Sequence, residues 1–203
     1  GLGQLPNELG FLHRLEVFEA MQSGLTGTIP ASFSNLSLTA IQLENNALTG
    51  ELPKFGSKPN SRSFLLSLSY NLLTGGLDNI ANLPFGPEGS LYLVNNRLSG
   101  TIPEILFGQH APRVLLASRN QLSGTIPSTA FSTLTGWVDL SDNNLSGPLP
   151  SQLNTTTSEL GILDLHNNAF SSTIPPSFLQ LRYLNTLDLS FNRLTGDVPT
   201  WTP

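Results

Sequence analysis

Apolar residues recur along the chain at fixed distances from a repeated asparagine. Around Asn46, for example, Ile41 and Leu43 stand five and three residues before the asparagine, and Leu48 stands two residues after it. Apolar residues that alternate with polar ones predict a short strand before each asparagine. The series repeats about every 24 residues. Its register positions are Ser23, Asn46, Asn71, Asn96, Asn120, Asn143, Asn168 and Asn192.

A second motif, Gly-x-Ile/Leu/Val-Pro, follows the asparagine in six of the repeats. Its copies span 27–30, 50–53, 100–103, 124–127, 147–150 and 196–199. Glycine and proline in this order predict a reversal of the chain. One unit of this length cannot bury its own leucines, but stacked units form a continuous core and align the strands in one parallel sheet. The asparagine amides of the register are predicted to form a structural ladder of hydrogen bonds to loop backbone.

The full pattern, Leu-x-x-Leu-x-Leu-x-x-Asn-x-Leu-Ser/Thr-Gly-x-Ile-Pro, resembles the plant-type leucine-rich repeat of receptor kinases, receptor-like proteins and polygalacturonase inhibitors. The segments LNTLDLSFNRLTGDVP (184–199) and VDLSDNNLSGPLP (138–150) resemble it most. The resemblance implies an α/β solenoid, a right-handed superhelix of about eight repeats with a parallel sheet on its concave side. Short extra strands or 3-10 turns are expected behind that sheet.

Three repeats depart from this pattern. The third lacks the proline after Gly75-Gly76, the fifth has Ala117 at a leucine position, and the seventh has Ser172 where glycine is usual. We expect local irregularity there within the same fold.

Residues 1–203 are predicted to form a single leucine-rich-repeat domain. Both ends fall within a repeat, and the cysteine-paired caps usual in plant members are missing because the chain contains no cysteine. An open solenoid end exposes leucines and strand edges. We therefore expect a fragment of a longer solenoid, or a copy stacked end to end on the next by self-association.

Composition narrows the classes of function. The formal net charge is -5 and only 11% of residues are charged, which argues against nucleic acid as a partner because its binding normally needs a basic face. The apolar stretches are far shorter than the ~20 residues that cross a bilayer, so no membrane span is predicted. The absence of cysteine excludes thiolate nucleophiles and cysteine-ligated zinc. No cofactor is predicted.

Side chains that alternate with the leucines along each strand point out of the concave face. Aromatic and aliphatic residues gather in the middle repeats beside an arginine, and such residues supply much of the energy of protein interfaces. We predict a ligand-binding patch there for a protein, peptide or glycan; the alternative is a set of scattered exposed apolar residues, which are normal on any protein surface. The patch comprises Tyr70, Tyr92, Leu116, Arg119 and Trp137.

Asp164 and His166 lie one strand from Ser141 and Ser190 and superficially resemble a Ser-His-Asp constellation. Leu-Asp-Leu-Ser is, however, the repeat's own consensus. The concave face is also expected to lack the oxyanion donors and the strained nucleophile that catalysis needs. We therefore predict that the chain is not an enzyme. No metal site is predicted either, because His13 and His110 have no partner at metal-ligand spacing.

Asn-x-Ser/Thr sequons at Asn35, Asn144 and Asn154 are candidate glycosylation sites, compatible with an extracellular or cell-surface location. The leading prediction is an extracellular recognition module that binds through its concave and lateral faces. The alternative is a structural cell-surface or matrix glycoprotein that self-associates. Enzyme inhibition and ice binding are minor alternatives, the latter suggested by ranks of Ser and Thr after the leucines.

Overall fold

The computed structural model describes residues 1–58, 63–108, 111–128, 130–132, 135–152 and 159–200. Within these residues the chain winds through eight turns of similar build. Each turn contributes a strand to one long sheet and a second strand to a lateral sheet; a ninth lateral strand, Gly3–Gln4, precedes these turns, and five short 3-10 helices are described.

The long sheet is parallel throughout and contains eight strands in the described part of the chain. Adjacent strands pair without offset, so that Ile41 is paired with Leu66 and Leu66 with Leu91. One bulge, between Gly136 and Trp137, interrupts the pairing of the strand Thr135–Asp139 with the strand Glu159–Asp164. The strands are β2 (Val17–Glu19), β4 (Ala40–Gln42), β6 (Leu65–Ser67), β8 (Ser90–Tyr92), β10 (Val114–Leu116), β12 (Thr135–Asp139), β14 (Glu159–Asp164) and β16 (Thr186–Asp188).

From the first register position onward, each lateral strand begins one to three residues after that position, and the lateral strands form two parallel sheets. Backbone hydrogen bonds from Arg97 to Leu73 and from Ser99 to Gly75, both 2.8 Å, join the two sheets. The first sheet comprises β1 (Gly3–Gln4), β3 (Leu25–Thr28), β5 (Ala47–Glu51) and β7 (Leu72–Thr74). The second comprises β9 (Ser99–Gly100), β11 (Gln121–Gly124), β13 (Asn144–Pro148), β15 (Ala169–Ser172) and β17 (Arg193–Leu194).

The 3-10 helices lie behind the sheets. Four of them follow a proline, whose fixed φ suits the entry to a helix and whose missing N–H loses no bond there. None of the described helices is long and apolar enough to cross a membrane. The helices span Asn7–Phe11, Ala31–Asn35, Glu104–Phe107, Ala130–Ser132 and Pro176–Gln180.

Leucine columns fill the interior between sheets and helices, and phenylalanines close its rear. Leu43, Leu48 and Leu66 are fully buried. Phe33 meets Phe18 and Phe55 edge to face, with ring centroids 5.5 and 6.3 Å apart. Among the described residues, one buried apolar cluster runs from Leu25 to Leu181, as expected for stacked units that share a core.

The register asparagines bridge consecutive repeats in a common geometry. In Asn71, Oδ1 accepts a hydrogen bond from the backbone N–H of Leu48, and Nδ2 donates to the carbonyls of Leu43 and Leu68, all at 3.0 Å. The same pattern recurs from Asn46 to Asn192. Each amide thereby forms hydrogen bonds with backbone N–H and C=O groups at the turn between the long sheet and the lateral sheet. Buried backbone groups of this kind normally need such partners.

The irregular repeats keep the fold. Ala117 is fully buried in the leucine column. Gly75 retains the left-handed φ of 79° without the following proline, and Ser172 adopts φ 73° where other repeats have glycine. The parallel solenoid predicted from the repeat pattern is confirmed, and the lateral strands divide into two sheets after Leu72–Thr74 of the irregular third repeat.

Candidate ligand-binding site

The outer side of the eight-stranded sheet is the concave face of the solenoid. Its small side chains are largely covered by their neighbours, since Ser67, Ser69, Ser118 and Ser141 are each less than a tenth exposed. The larger side chains rise above this serine floor. Trp137 is 40% exposed and Tyr70 is 46% exposed.

A recess of about 630 Å³ opens on this face across β4, β6 and β8. Tyr70 and Tyr92 line it together with Leu65, Val94 and Leu116. The polar part of its lining includes Gln42, Glu44 and Glu88. The recess therefore offers aromatic and aliphatic surface beside carboxylates.

A second recess of about 320 Å³ adjoins the first and shares Tyr70, Val94 and Leu116 with it. It continues over Arg119 and Trp137 to a polar end at β14. We call the two recesses together the concave groove. The structure thus brings all five residues of the predicted patch, Tyr70, Tyr92, Leu116, Arg119 and Trp137, into the lining of one groove.

The residue before each register asparagine has a left-handed backbone. Asparagine and aspartate tolerate this conformation better than other side chains, and they occupy Asn45, Asn95, Asp142 and Asn167. Three bulky exceptions are Tyr70, Arg119 and Phe191, with φ of 58°, 57° and 53°. Unfavourable residues held in such conformations often mark functional positions, and two of these three line the groove. In the sequence, the left-handed conformation is signalled by the position before the register asparagine, where asparagine and aspartate predominate.

Charged side chains gather at the far end of the groove around His166. Its Nδ1 lies 2.8 Å from Asp164 Oδ1 and 4.0 Å from Asp188 Oδ2, and its Nε2 lies 3.7 Å from Asp142 Oδ2. Arg119 Nε is 3.6 Å from the same Asp142 oxygen. Three neighbouring repeats thus place carboxylates around one imidazole.

Burial opposes the protonation of His166, but the hydrogen bond to Asp164 and the attraction of Asp164, Asp142 and Asp188 outweigh it and raise the pKa of the imidazole. Hydrogen bonds from the hydroxyl and backbone N–H of Ser190 lower the pKa of Asp188, with a smaller contribution from His166.

The nearby serines pair with aspartate instead of with His166. Ser141 Oγ donates to Asp139 Oδ1 and Ser190 Oγ donates to Asp188 Oδ1, both at 2.6 Å. The imidazole itself is paired with Asp164. No serine hydroxyl is therefore placed for activation by His166 among the described hydrogen bonds, and the prediction that the chain is not an enzyme stands as a prediction.

The cluster also has the composition of a metal site. Asp164, His166 and Asp188 each offer one ligand atom, and these atoms lie within 4.8 Å of one another. Imidazole and carboxylate together suit several divalent transition metals. The sequence pattern suggested Asp164 and His166 only as part of a possible catalytic group and predicted no metal site. The three residues come together because adjacent repeats stack.

The Leucine Rich Repeat family model matches residues 90–108, 137–155, 159–181 and 183–203. Receptor-like protein 39 of Arabidopsis thaliana is 36% identical over 198 residues, which cover 96% of this chain and 17% of that protein. Receptor-like protein 41 of the same plant is 36% identical over 197 residues, 96% of this chain and 17% of that protein. The chain belongs to the plant-type leucine-rich-repeat proteins.

Solved structures of plant leucine-rich-repeat proteins are similar over nearly the whole chain. The Arabidopsis receptor kinase HAESA, in complex with the peptide hormone IDA and the co-receptor SERK1, has a TM-score of 0.80 and 30% identity. The match covers 97% of this chain and 33% of HAESA. A plant ice-binding protein has a TM-score of 0.65 and 29% identity, covering 98% of this chain and 71% of that protein. This leucine-rich-repeat chain spans about a sixth of its two curated relatives and about a third of HAESA.

Two predicted glycosylation sites of the leucine-rich-repeat chain fall on described, exposed residues. Asn35 ends a 3-10 helix on the rear, and Asn144 begins the lateral strand β13. Neither lies in the groove lining. The third sequon, at Asn154, and His110 lie outside the described residues.

Replacing Tyr70 by asparagine is expected to stabilise the leucine-rich-repeat chain by about 1 kcal/mol while weakening ligand binding. Asn45 and Asn95 already occupy the equivalent left-handed position, so asparagine relieves backbone strain but removes the aromatic ring from the groove. Chemical denaturation measures the first effect. Phe191→Asn is the matched control, since Phe191 has the same conformation outside the groove lining; it should stabilise similarly and leave binding unchanged. A Tyr70→Asn variant of lower stability would contradict the strain argument.

The His166 cluster predicts a pH-dependent contribution to stability. Because the pKa of folded His166 is raised above the ordinary 6.5, protonation stabilises the fold. This contribution is fully present below about pH 6.5 and is lost as pH rises through the folded pKa. The unfolding free energy of the wild type relative to His166→Ser should therefore decrease as pH rises above about 6.5 and through the folded pKa. Serine is the matched replacement because Ser141 and Ser190 occupy the equivalent position.

A proton NMR titration provides the direct measurement, with the His166 signal assigned by its loss in His166→Ser. The expected midpoint lies above 6.5. A midpoint at or below that value would show that burial outweighs the three carboxylates.

Proposed function

We propose that this chain recognises an extended peptide, or an extended segment of a protein, along the concave groove. The observation that carries the proposal is the convergence of Tyr70, Tyr92, Leu116, Arg119 and Trp137 on one continuous groove. Partly exposed aromatics beside an arginine, above a floor of small side chains, have the composition of energetic centres at protein interfaces. The groove is shallow and long instead of enclosed, which suits a chain better than a small molecule.

The extent of the groove favours a peptide of defined length. Its lining runs from Gln42 on β4 to Asp164 on β14, which spans six adjacent strands. At about 4.8 Å between neighbouring strands, this distance is about 24 Å. An extended peptide covers it with about seven residues at roughly 3.3 Å each.

The similar solved structures support a peptide ligand. HAESA is in complex with the peptide hormone IDA, and the receptor RGFR1, with a TM-score of 0.73 and 29% identity, is in complex with RGF2. For this chain we propose only the general mode of binding, in which a leucine-rich-repeat ectodomain recognises a peptide. A location at the cell surface, with glycans on Asn35 and Asn144, belongs to the same proposal and is tested by mass spectrometry of protein from its native source.

Selection from a randomised peptide-display library tests the proposed recognition. The immobilised wild-type chain should enrich linear sequences that share a motif of about seven residues. Enriched peptides should compete with one another for a single site. A selection without a shared motif, accompanied by saturable binding on a glycan array, would replace the peptide with a carbohydrate ligand.

Ice binding is the second candidate, favoured by the similarity to a plant ice-binding protein. The lateral strands carry an unbroken row of hydroxyl side chains before the glycine position. The row comprises Thr26, Thr49, Thr74, Ser99, Ser123, Ser146, Ser171 and Thr195. Thermal hysteresis that is lost in Thr49→Leu but kept in Tyr92→Ala would assign this function to the lateral sheets.

The predicted self-association through the ends stays a prediction, for which light scattering across a range of concentrations is the test.

A further inference from the structure

Glu44 places a carboxylate in the first recess of the groove, at the end opposite His166. Its Oε2 atom is buried and has no hydrogen-bond partner among the described residues. The amide of Gln42, which lines the same recess, donates to Glu19 instead. Buried polar atoms are normally paired, and an ionised carboxylate without a partner is costly. Within the described residues, the negative charge of Glu44 beside the recess is therefore not compensated by a hydrogen bond to Oε2.

The rest of the recess has the complementary features of a site for a cation. Its charged lining residues are Glu44 and Glu88, both acidic, and the described lining contains no lysine, arginine or histidine. Two aromatic side chains, Tyr70 and Tyr92, line the same space. Cations are attracted to aromatic faces as well as to carboxylates, so both features favour the same ligand group.

The remainder of the groove has the same sign of charge. The second recess is lined by Asp139, Asp142 and Asp164 against Arg119 and His166. Arg119 and His166 both approach the Asp142 carboxylate, so the groove's own basic groups are already engaged with acids. The groove as a whole is therefore complementary to a basic partner.

We propose that the peptide ligand is basic and that one of its arginine or lysine side chains binds in the first recess, against Glu44 and between Tyr70 and Tyr92. This inference rests on the proposed recognition of a peptide and specifies the residue that the recess selects. The cation lies beside the carboxylates of Glu44 and Glu88 and compensates negative charge that the lining itself leaves without a basic group. Glu44 is therefore the residue that determines specificity, whereas the aromatic side chains supply binding energy to many sequences.

The test applies one randomised peptide-display library to three immobilised proteins, which are the wild type, Glu44→Gln and Glu51→Gln. Glu51 is exposed on the lateral strand β5 and provides a matched loss of one negative charge away from the groove. The wild type and Glu51→Gln should enrich arginine or lysine at one common position by about tenfold or more, as expected for a charge pair worth a factor of ten in affinity. Glu44→Gln should lose that enrichment but still select peptides.

A synthetic peptide from the wild-type selection then completes a double-mutant comparison. Changing its conserved basic residue to norleucine should weaken binding to the wild type about tenfold and binding to Glu44→Gln less than twofold. Glu44→Gln should also raise the midpoint of thermal unfolding of the free chain, which separates loss of specificity from loss of folding.

The outcomes separate the two proposals. Enriched peptides without a basic residue, or a basic preference that survives in Glu44→Gln, would overturn this inference and leave peptide recognition intact. Failure of the wild type to enrich any shared sequence would overturn peptide recognition itself and the inference with it.

Discussion

Replacing Asn71 by alanine is expected to lower the free energy of unfolding by about 3 kcal/mol, the largest effect of any single polar substitution that we predict. Asn71 is only 4% exposed. Its loss leaves the backbone N–H of Leu48 without its side-chain acceptor and the carbonyls of Leu43 and Leu68 without this donor. Each buried group left unpaired costs about 1–3 kcal/mol. Because the surrounding core is formed by leucines, water does not readily replace the lost side-chain partners.

Denaturant-induced unfolding measures this effect, with Asn144→Ala as the matched control. Asn144 is an exposed asparagine on lateral strand β13, and its replacement should change stability by less than about 0.5 kcal/mol. Asn71→Asp adds an intermediate case because it keeps the acceptor for Leu48 but loses the donor. Equal losses of unfolding free energy in Asn71→Ala and Asn144→Ala would contradict a structural role for the register asparagine.

Joint replacement of Tyr92 and Trp137 by alanine is expected to weaken binding of a library-selected peptide by at least about 100-fold. The two side chains line different recesses of the groove and are separated by the strand that carries Leu116. Each should therefore contribute independently, with a loss of roughly tenfold or more apiece. Calorimetric titration of the purified variants gives the affinities.

Tyr183→Ala is the control for this pair. Tyr183 is 63% exposed but does not line the groove, so its truncation removes an accessible aromatic ring from a different surface. It should leave peptide affinity within about twofold, since residues outside an interface rarely contribute. A comparable loss in Tyr183→Ala would indicate that exposed aromatics bind the peptide without selectivity for the groove.

Much of the fold follows from the sequence because the repeat fixes both periodicity and register. The spacing of Ile41, Leu43 and Leu48 around Asn46 is enough to assign a strand, a core face and a turn, and stacking extends the assignment to every copy. The side chains predicted to point out of the concave face consequently lie at paired positions of adjacent strands, as Tyr92 and Leu116 do. The convergence of the five patch residues on one groove is a consequence of the same register.

Other features of the site depend on distances and side-chain conformations that the repeat does not encode. The burial of Glu44 Oε2 results from the neighbours that cover a single carboxylate oxygen. The cluster at His166 requires Asp142, Asp164 and Asp188 to meet from three adjacent repeats. In the sequence, Asp164 and Asp188 look like ordinary copies of the consensus Leu-Asp-Leu-Ser. The left-handed Tyr70 and Arg119 could have been found by aligning their column, where asparagine and aspartate predominate.

Trp137 fluorescence provides the most direct measurement of whether a peptide binds along the concave groove. The chain contains two tryptophans, so a Trp201→Phe variant makes Trp137 the sole source of indole emission. Titration with a library-selected peptide should change that emission saturably, with one peptide per chain and the same dissociation constant as calorimetry. Calorimetric binding of the same peptide without any change in Trp137 emission would place the ligand elsewhere and contradict the proposed site.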